Sequence, residues 1–140
     1  KSLEEQSLVL AENLLKMNAS HAKVRVVAHS LGCRLVHHAI SNIPLERRPQ
    51  ELHLLAPAFT EQEVAPNLDT LAQDAVRIYH NKDDYILSLL YTGITGGGQA
   101  VGCAGLIGKY SDRVATVDTQ PHFNWMVHTE YRNSFHKFVL

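Results

Sequence analysis

Apolar positions along the chain alternate between helical spacing and short continuous runs. Between residues 3 and 18 they recur every three to four positions, which is the spacing of one helical face. These positions are Leu3, Leu8, Ala11, Leu14 and Leu15. Ser2 and Glu5 stand just before them as a capping box, because each side chain can satisfy a free backbone N–H of the first turn. The pattern predicts a helix over residues 3–18.

Four apolar runs predict β-strands, over residues 24–28, 52–56, 75–79 and 113–117. In the first run only Arg25 is polar, which is typical of a strand buried on both faces in a parallel sheet. Further helices are predicted over 31–42, 68–74, a short stretch containing Ile86, Leu87, Leu89 and Leu90, and 131–140. Strands alternating with helices imply parallel crossovers, so the predicted fold class is α/β, a parallel sheet with flanking helices.

Two of these helices carry expectations about their buried faces. In the helix over 31–42 the expected apolar stripe is Leu31, Leu35, Val36, Ala39 and Ile40. In the last helix Phe135 and Phe138 are expected to point inward. Seven of the eight glycines fall between residues 93 and 108, and this concentration predicts a loop, either mobile or tightly folded.

Composition narrows the function classes. The chain has 140 residues, enough for one domain, and is 45% hydrophobic and 19% charged, with a formal net charge of -1. An even charge balance argues against nucleic acid as a partner. No apolar run reaches the ~18–20 residues of a transmembrane segment, and the first residues do not resemble a signal peptide. Cys33 and Cys103 form no CxxC motif, which favours a reducing compartment and a cytoplasmic location.

Candidate chemistry gathers after the strands, because reacting groups in a parallel sheet collect beyond the carboxyl ends of its strands. A serine, carboxylates and histidines occur there in that chain order. They are Ser30, Asp83, Asp84, Asp118, His122 and His128. A serine hydroxyl needs a neutral imidazole to accept its proton, and that imidazole needs a carboxylate to orient it. The order favours nucleophilic catalysis by Ser30.

The residues around Ser30 fit a sharp strand-to-helix turn. Such a turn lifts the hydroxyl clear of the sheet, and Ala28 and Gly32, two positions to either side, are expected to be small to avoid a collision. The same turn would direct the Leu31 backbone N–H, at the start of the helix, toward an oxyanion on the substrate. His29 is expected to be a packing or hydrogen-bonding neighbour, with its side chain directed away from the site.

Three segments resemble the α/β-hydrolases, in esterase- and lipase-like members. AHSLG at 28–32 is similar to their nucleophile elbow, with Ala in place of the first Gly. IYHNKDDYIL at 78–87 resembles the acid loop, and VATVD at 114–118 with HTEY at 128–131 resembles the last strand and the histidine segment. The resemblance covers nearly the whole chain, but only as the C-terminal half of that fold.

The resemblance implies roles for three side chains: Ser30 as nucleophile, Asp84 as orienting acid and His128 as general base. It favours Asp84 over Asp83 because an apolar run follows directly, and His128 over His122 because of the H-x-x-Y pattern; both alternatives stay open. The implied activity is hydrolysis of a carboxylic ester or thioester, from a small-molecule or lipid-like substrate, through an acyl-enzyme. This chemistry needs no metal or organic cofactor.

Two other functions compete with this hypothesis. A hydrolase-like scaffold could bind ligands without catalysis, since the loop that usually supplies the second oxyanion N–H does not occur in the sequence. A nucleotide-binding module could use Gly96–Gly98, although no strand leads into it. The adjacent His37 and His38 face different ways on a helix and do not suggest a metal site, and Cys33 is expected to be a buried thiol.

The domain organisation follows from the first strand. Residues 1–140 form a single predicted domain, but in the resembled fold the strand over residues 24–28 is central. An apolar strand left at an edge is an aggregation hazard. We therefore expect that an upstream N-terminal segment or a second copy of the chain covers the Val24–Ala28 edge.

Overall fold

The computed structural model describes residues 1–20, 23–95, 98–123 and 127–137. The helices are α1 (Leu3–Ser20), α2 (Leu31–Ser41), α3 (Glu61–Val64), α4 (Tyr85–Thr95), α5 (Val101–Ala104) and α6 (Val127–Ser134). The strands are β1 (Arg25–His29), β2 (Glu51–Leu55), β3 (Ala75–His80) and β4 (Val114–Asp118). In this part of the chain no helix combines the length and the apolar content that crossing a bilayer requires.

The four strands form one sheet in the order β1-β2-β3-β4, and every neighbouring pair is parallel. One row of the register runs through Ala28, Leu54, Ile78 and Thr116. The prediction of an α/β fold with a parallel sheet and flanking helices is confirmed, and the architecture is consistent with part of a hydrolase fold.

Both faces of the sheet carry apolar clusters. On one face, α1 and α2 pack over the strands, and side chains buried there include Leu14, Val36, Ile40, Leu54 and Ile78. On the other face the cluster lies toward the carboxyl ends of the strands and joins α4 and α6. Its members include Leu55, Tyr79, Leu87, Phe123, Val127 and Tyr131. This second cluster fixes the elements that bear the predicted acid and base.

The predicted first helix is confirmed, together with its capping box. Glu5 N–H donates to Ser2 Oγ at 3.2 Å, and Ser2 N–H donates to Glu5 Oε2 at 3.3 Å. The apolar residues that recur at helical spacing are only partly buried: Leu3 and Leu8 are exposed, while Ser7 is buried. Ser7 tolerates this position since its hydroxyl donates to the Glu4 carbonyl at 2.8 Å.

Several shorter predictions need correction. The expected helix over 68–74 is a single 3₁₀ turn, Leu68–Thr70, and the helix in that region is α3. In the glycine-rich stretch α4 continues to Thr95 and α5 forms further on, so the described part is more than a loop. Phe135 lies in a 3₁₀ turn with its side chain exposed rather than inward, and Phe138 lies outside the described residues.

β1 lies at an edge of the sheet, with β2 as its strand neighbour among the described residues. Burial on both faces is therefore not observed: Val27 is 39% exposed, whereas Ala28 beside it is buried against the helices. The expectation that another segment covers this edge stays a prediction.

Candidate active site

Ser30 occupies a strained turn between β1 and α2. Its φ of 54° and ψ of -122° lie in a region that side-chain-bearing residues rarely adopt. Three backbone hydrogen bonds hold the turn: Ser30 N–H donates to Leu55 O at 2.9 Å, and Ser30 O accepts from Cys33 N–H at 3.0 Å and Ala58 N–H at 3.2 Å. The Ser30 side chain does not cap α2, so the turn leaves the hydroxyl available for chemistry.

Ala28 and Gly32, the small residues on either side of this turn, have different surroundings. Ala28 is buried in the core under α2. A Cβ added at Gly32 would meet nothing within 4 Å, so the expected collision at Gly32 is wrong. The two positions are thus not equivalent: Ala28 packs in the core, whereas a side chain at Gly32 would begin in open space.

Asp84 and His128 are brought together at the carboxyl end of the sheet. His128 Nδ1–H donates to Asp84 Oδ2 at 2.9 Å, and the Asp84 side chain is completely buried. The other carboxylate oxygen, Oδ1, accepts the backbone N–H of Leu87 at 3.0 Å, in the first turn of α4. An acceptor at Nδ1 places the proton there and leaves Nε2 with a free lone pair, which is the tautomer that a general base needs.

The alternative acid and base residues lie in more exposed surroundings than Asp84 and His128. Asp83 Oδ2 accepts from Gln120 Nε2 at 3.1 Å. His122 is exposed, and its backbone N–H donates to Thr119 O at 2.9 Å. Asp118 is also exposed. The geometry therefore favours the buried pair of Asp84 and His128.

His29, the residue before Ser30 in the chain, contacts His128 of this pair. Within the described part of the chain the Ser30 hydroxyl makes no hydrogen bond, to His128 or to another residue. The ring of His29, however, lies with its centroid 4.7 Å from that of His128. The expectation that the His29 side chain points away is wrong, because it packs against the candidate base.

Three further polar residues support the segment that bears His128. Tyr131 is fully buried one helical turn after His128, and its hydroxyl lies 2.8 Å from Thr119 Oγ1. Asn81 Nδ2 donates to the same Thr119 oxygen at 3.3 Å. Sequence reasoning missed this chain of hydrogen bonds. The i, i+3 spacing of His128 and Tyr131 was the available signal, since such residues share one face of a helix.

Burial controls the protonation of several groups near the site. It lowers the pKa of His29, and a charge on His128 would lower it further. It raises the pKa of the Tyr131 hydroxyl and of the Cys33 thiol, which is fully buried as expected. Cys103, whose Sγ lies 3.5 Å from the Asp84 carbonyl, has its pKa raised to about 11 by burial and by the Asp84 charge. Neither cysteine is a thiolate nucleophile near neutral pH.

Two cavities between the helices offer space for ligands. A cavity of about 260 Å³ between α4 and α5 is lined by residues that include Tyr85, Tyr91 and Cys103. A second, of about 210 Å³, lies beside α2 and is bordered by residues including Arg34 and His37. Over the described ranges no three His, Cys, Asp or Glu side chains are grouped as metal ligands would be.

A comparison with known protein families places the chain in one of them. The model of a family described as serine hydrolase matches residues 10–82, just over half of the sequence. The chain belongs to the serine hydrolase family. Searches of curated proteins and of solved structures gave no match.

The serine hydrolase match has a definite extent along the chain. It begins inside α1, includes Ser30 and the sheet as far as β3, and ends at residue 82. Membership in this family supports a hydrolase activity. Asp84 and His128 lie beyond the matched segment, so their roles depend on the geometry described above.

Proposed function

We propose that the protein is a serine esterase or thioesterase that works through an acyl-enzyme, with Ser30, His128 and Asp84 as its triad. The observation that supports this most strongly is the 2.9 Å hydrogen bond between His128 and the buried Asp84, at the same end of the sheet as the strained Ser30 turn. Hydroxyl, imidazole and carboxylate are the groups that acyl transfer by serine requires.

In this mechanism Ser30 Oγ attacks the ester carbonyl carbon while His128 Nε2 takes its proton. The Asp84 carboxylate stabilises the resulting imidazolium through Nδ1–H. The Leu31 N–H, for which the described residues supply no acceptor, donates to the oxyanion from the N-terminus of α2. His128 then gives the proton to the departing alcohol or thiol. Water, activated by the same imidazole, releases the acyl group from Ser30.

A fluorophosphonate probe tests this proposal, because it phosphonylates only an activated serine. We expect labelling of the wild-type protein on Ser30, identified by mass spectrometry of the modified peptide. Ser30→Ala should abolish labelling, whereas Ser41→Ala at the far end of α2 should leave it unchanged.

The same probe separates catalysis from ligand binding by a scaffold. A folded wild-type protein that remains unlabelled, or that labels equally well as Ser30→Ala, contradicts the esterase proposal. The scaffold function would gain support from that result, since the Ser30 hydroxyl makes no hydrogen bond to His128 in this structure.

A further inference from the structure

His29 contacts the candidate base without belonging to the acid–base pair. Its ring centroid lies 4.7 Å from that of His128, with 43° between the ring planes, and 6.0 Å from that of Tyr131. His29 therefore sits between two residues of α6 that are one helical turn apart. Asp84 holds His128 at Nδ1 only, and one hydrogen bond leaves an imidazole free to tilt about that bond.

The His29 ring is buried at one of its nitrogens. Nε2 is buried and has no hydrogen-bond partner among the described residues. A buried polar atom without a partner destabilises the fold, so this nitrogen does not help to hold the ring in place. The ring contributes its flat surface and a hydrogen bond with the backbone of His128, and burial, the largest effect on its pKa, favours its neutral form.

We propose that His29 is a positioning residue, whose ring surface restrains the tilt of the His128 imidazole so that Nε2 faces Ser30. This inference rests on the proposed esterase function. His29 immediately precedes Ser30 in the chain, so a restraint from His29 ties the base to the same turn that carries the nucleophile. A small misplacement of a reacting group can lower a rate roughly 100-fold.

The charged groups around this contact are consistent with that role. Asp84 faces the two rings from the start of α4, and Arg132 faces them from α6. His128 becomes positively charged during acyl transfer. A neutral His29 can remain against it, whereas a charged one would repel it.

Three substitutions test the role. His29→Ala removes the ring, His29→Leu keeps an apolar side chain without a flat surface, and His29→Phe keeps the flat surface without nitrogens. His38→Ala is the matched control, since it removes an exposed histidine from α2. The measurements are the labelling rate of Ser30 by a fluorophosphonate, kcat and KM for p-nitrophenyl butyrate, and the melting temperature.

We expect His29→Ala and His29→Leu to lose roughly 10–100-fold in labelling rate and in kcat, with KM changed less than about threefold, because the ring positions the base and does not bind the ester. His29→Phe should retain most of both rates, since it keeps the flat surface against His128. If the alanine variant does not fold, the leucine variant carries the same expectation.

Two results would overturn the positioning role while leaving the esterase intact: wild-type rates in His29→Ala and His29→Leu, or a loss in His29→Phe as large as in His29→Leu. A change confined to KM would overturn it as well. An unlabelled wild-type protein is a different result, because it removes the proposed function and the role of His29 with it.

Discussion

The carboxylate of Asp84 binds the imidazole of His128 with one oxygen and the first turn of α4 with the other. Oδ2 accepts from His128 Nδ1–H at 2.9 Å, and Oδ1 accepts from Leu87 N–H at 3.0 Å. Each oxygen therefore has a fixed partner, and the carboxylate cannot rotate without breaking one of two hydrogen bonds. This arrangement makes Asp84 the position at which the proposed mechanism is most sharply tested.

Asp84→Asn should keep the helix contact and destroy the base. The amide oxygen can still accept from Leu87, but the amide NH₂ then faces His128 and forces the proton onto Nε2. A loss of about 10⁴-fold in kcat is expected for the wrong tautomer, with little change in thermal stability. Asp83→Asn is the matched control, and hydrolysis of p-nitrophenyl butyrate is the measurement. An equal loss in the two variants would refute the assignment of Asp84.

Glu51 predicts a pH dependence of stability. Its hydrogen bond with Lys23, at 2.9 Å, and those with Arg25 and His53 lower the pKa of Glu51 from 4.5 to about 2, against the opposing effect of burial. A carboxyl whose pKa is lower in the folded state stabilises the protein above its unfolded pKa. That stabilisation is lost as pH falls from about 4.5 toward 2.

Glu51→Gln should therefore lower the free energy of unfolding at pH 7 by roughly 1–3 kcal/mol, and by less at pH 3. Urea denaturation at the two pH values measures the difference. Glu12→Gln, at an exposed position on α1, should leave the free energy of unfolding unchanged at both pH values. A Glu51→Gln effect that is the same at both pH values would show that charge on Glu51 is not the cause.

Gly102 is required where α5 crosses the end of β2. A Cβ there would lie 2.5 Å from the Ala56 carbonyl carbon and 2.5 Å from Leu87 Cδ2, and the backbone of Ala56 cannot withdraw. Gly102→Ala should destabilise the protein by about 1–3 kcal/mol. Gly32→Ala, in the first turn of α2 with open space around it, should be neutral or stabilising by up to ~1 kcal/mol. Urea denaturation compares them, and similar effects at both glycines would contradict the steric argument.

The open edge of β1 predicts self-association of a protein consisting of residues 1–140. Among the residues that the structure describes, no strand pairs with the outer side of β1, where the Val27 side chain is exposed, and such edges pair with other chains. Val27→Lys should reduce the association, because a charged side chain at an edge opposes pairing. Val9→Lys, equally apolar and exposed on α1, is the control. Sedimentation velocity measures the outcome, and a wild-type monomer at high micromolar concentration would count against an uncovered edge.

The strands were predictable because their signal is local. Each is a run of apolar residues, and the structure places all four within one or two positions of the prediction. The capping box at Ser2 was equally accessible, since its partners are three residues apart. Features that depend on distant parts of the chain were not: Ser7 is buried instead of Leu8, and Phe135 is exposed, because neighbouring elements decide which side of a helix is covered.

The residues of the candidate site also divide into those that a local sequence signal predicts and those that depend on distant parts of the chain. The Ser30 turn follows from a strand, a serine and a helix in succession, and its positive φ agrees with that expectation. The choice of Asp84 over Asp83 required a resemblance, since both follow the same strand. The contact of the His29 ring with His128 and the hydrogen bond between Thr119 and Tyr131 were missed, because each joins residues of different structural elements that no local pattern connects.

The backbone strain at Ser30 also bears on heat tolerance. Glycine adopts a φ of 54° freely, whereas serine does so at a cost of about 1–3 kcal/mol. A Ser30→Gly chain should be inactive and yet melt at a higher temperature than the wild type, because relief of this strain exceeds the about 0.4–1 kcal/mol by which the greater freedom of glycine stabilises the unfolded state. Serine would then be retained at this position because selection favours catalytic turnover even where it lowers thermal stability.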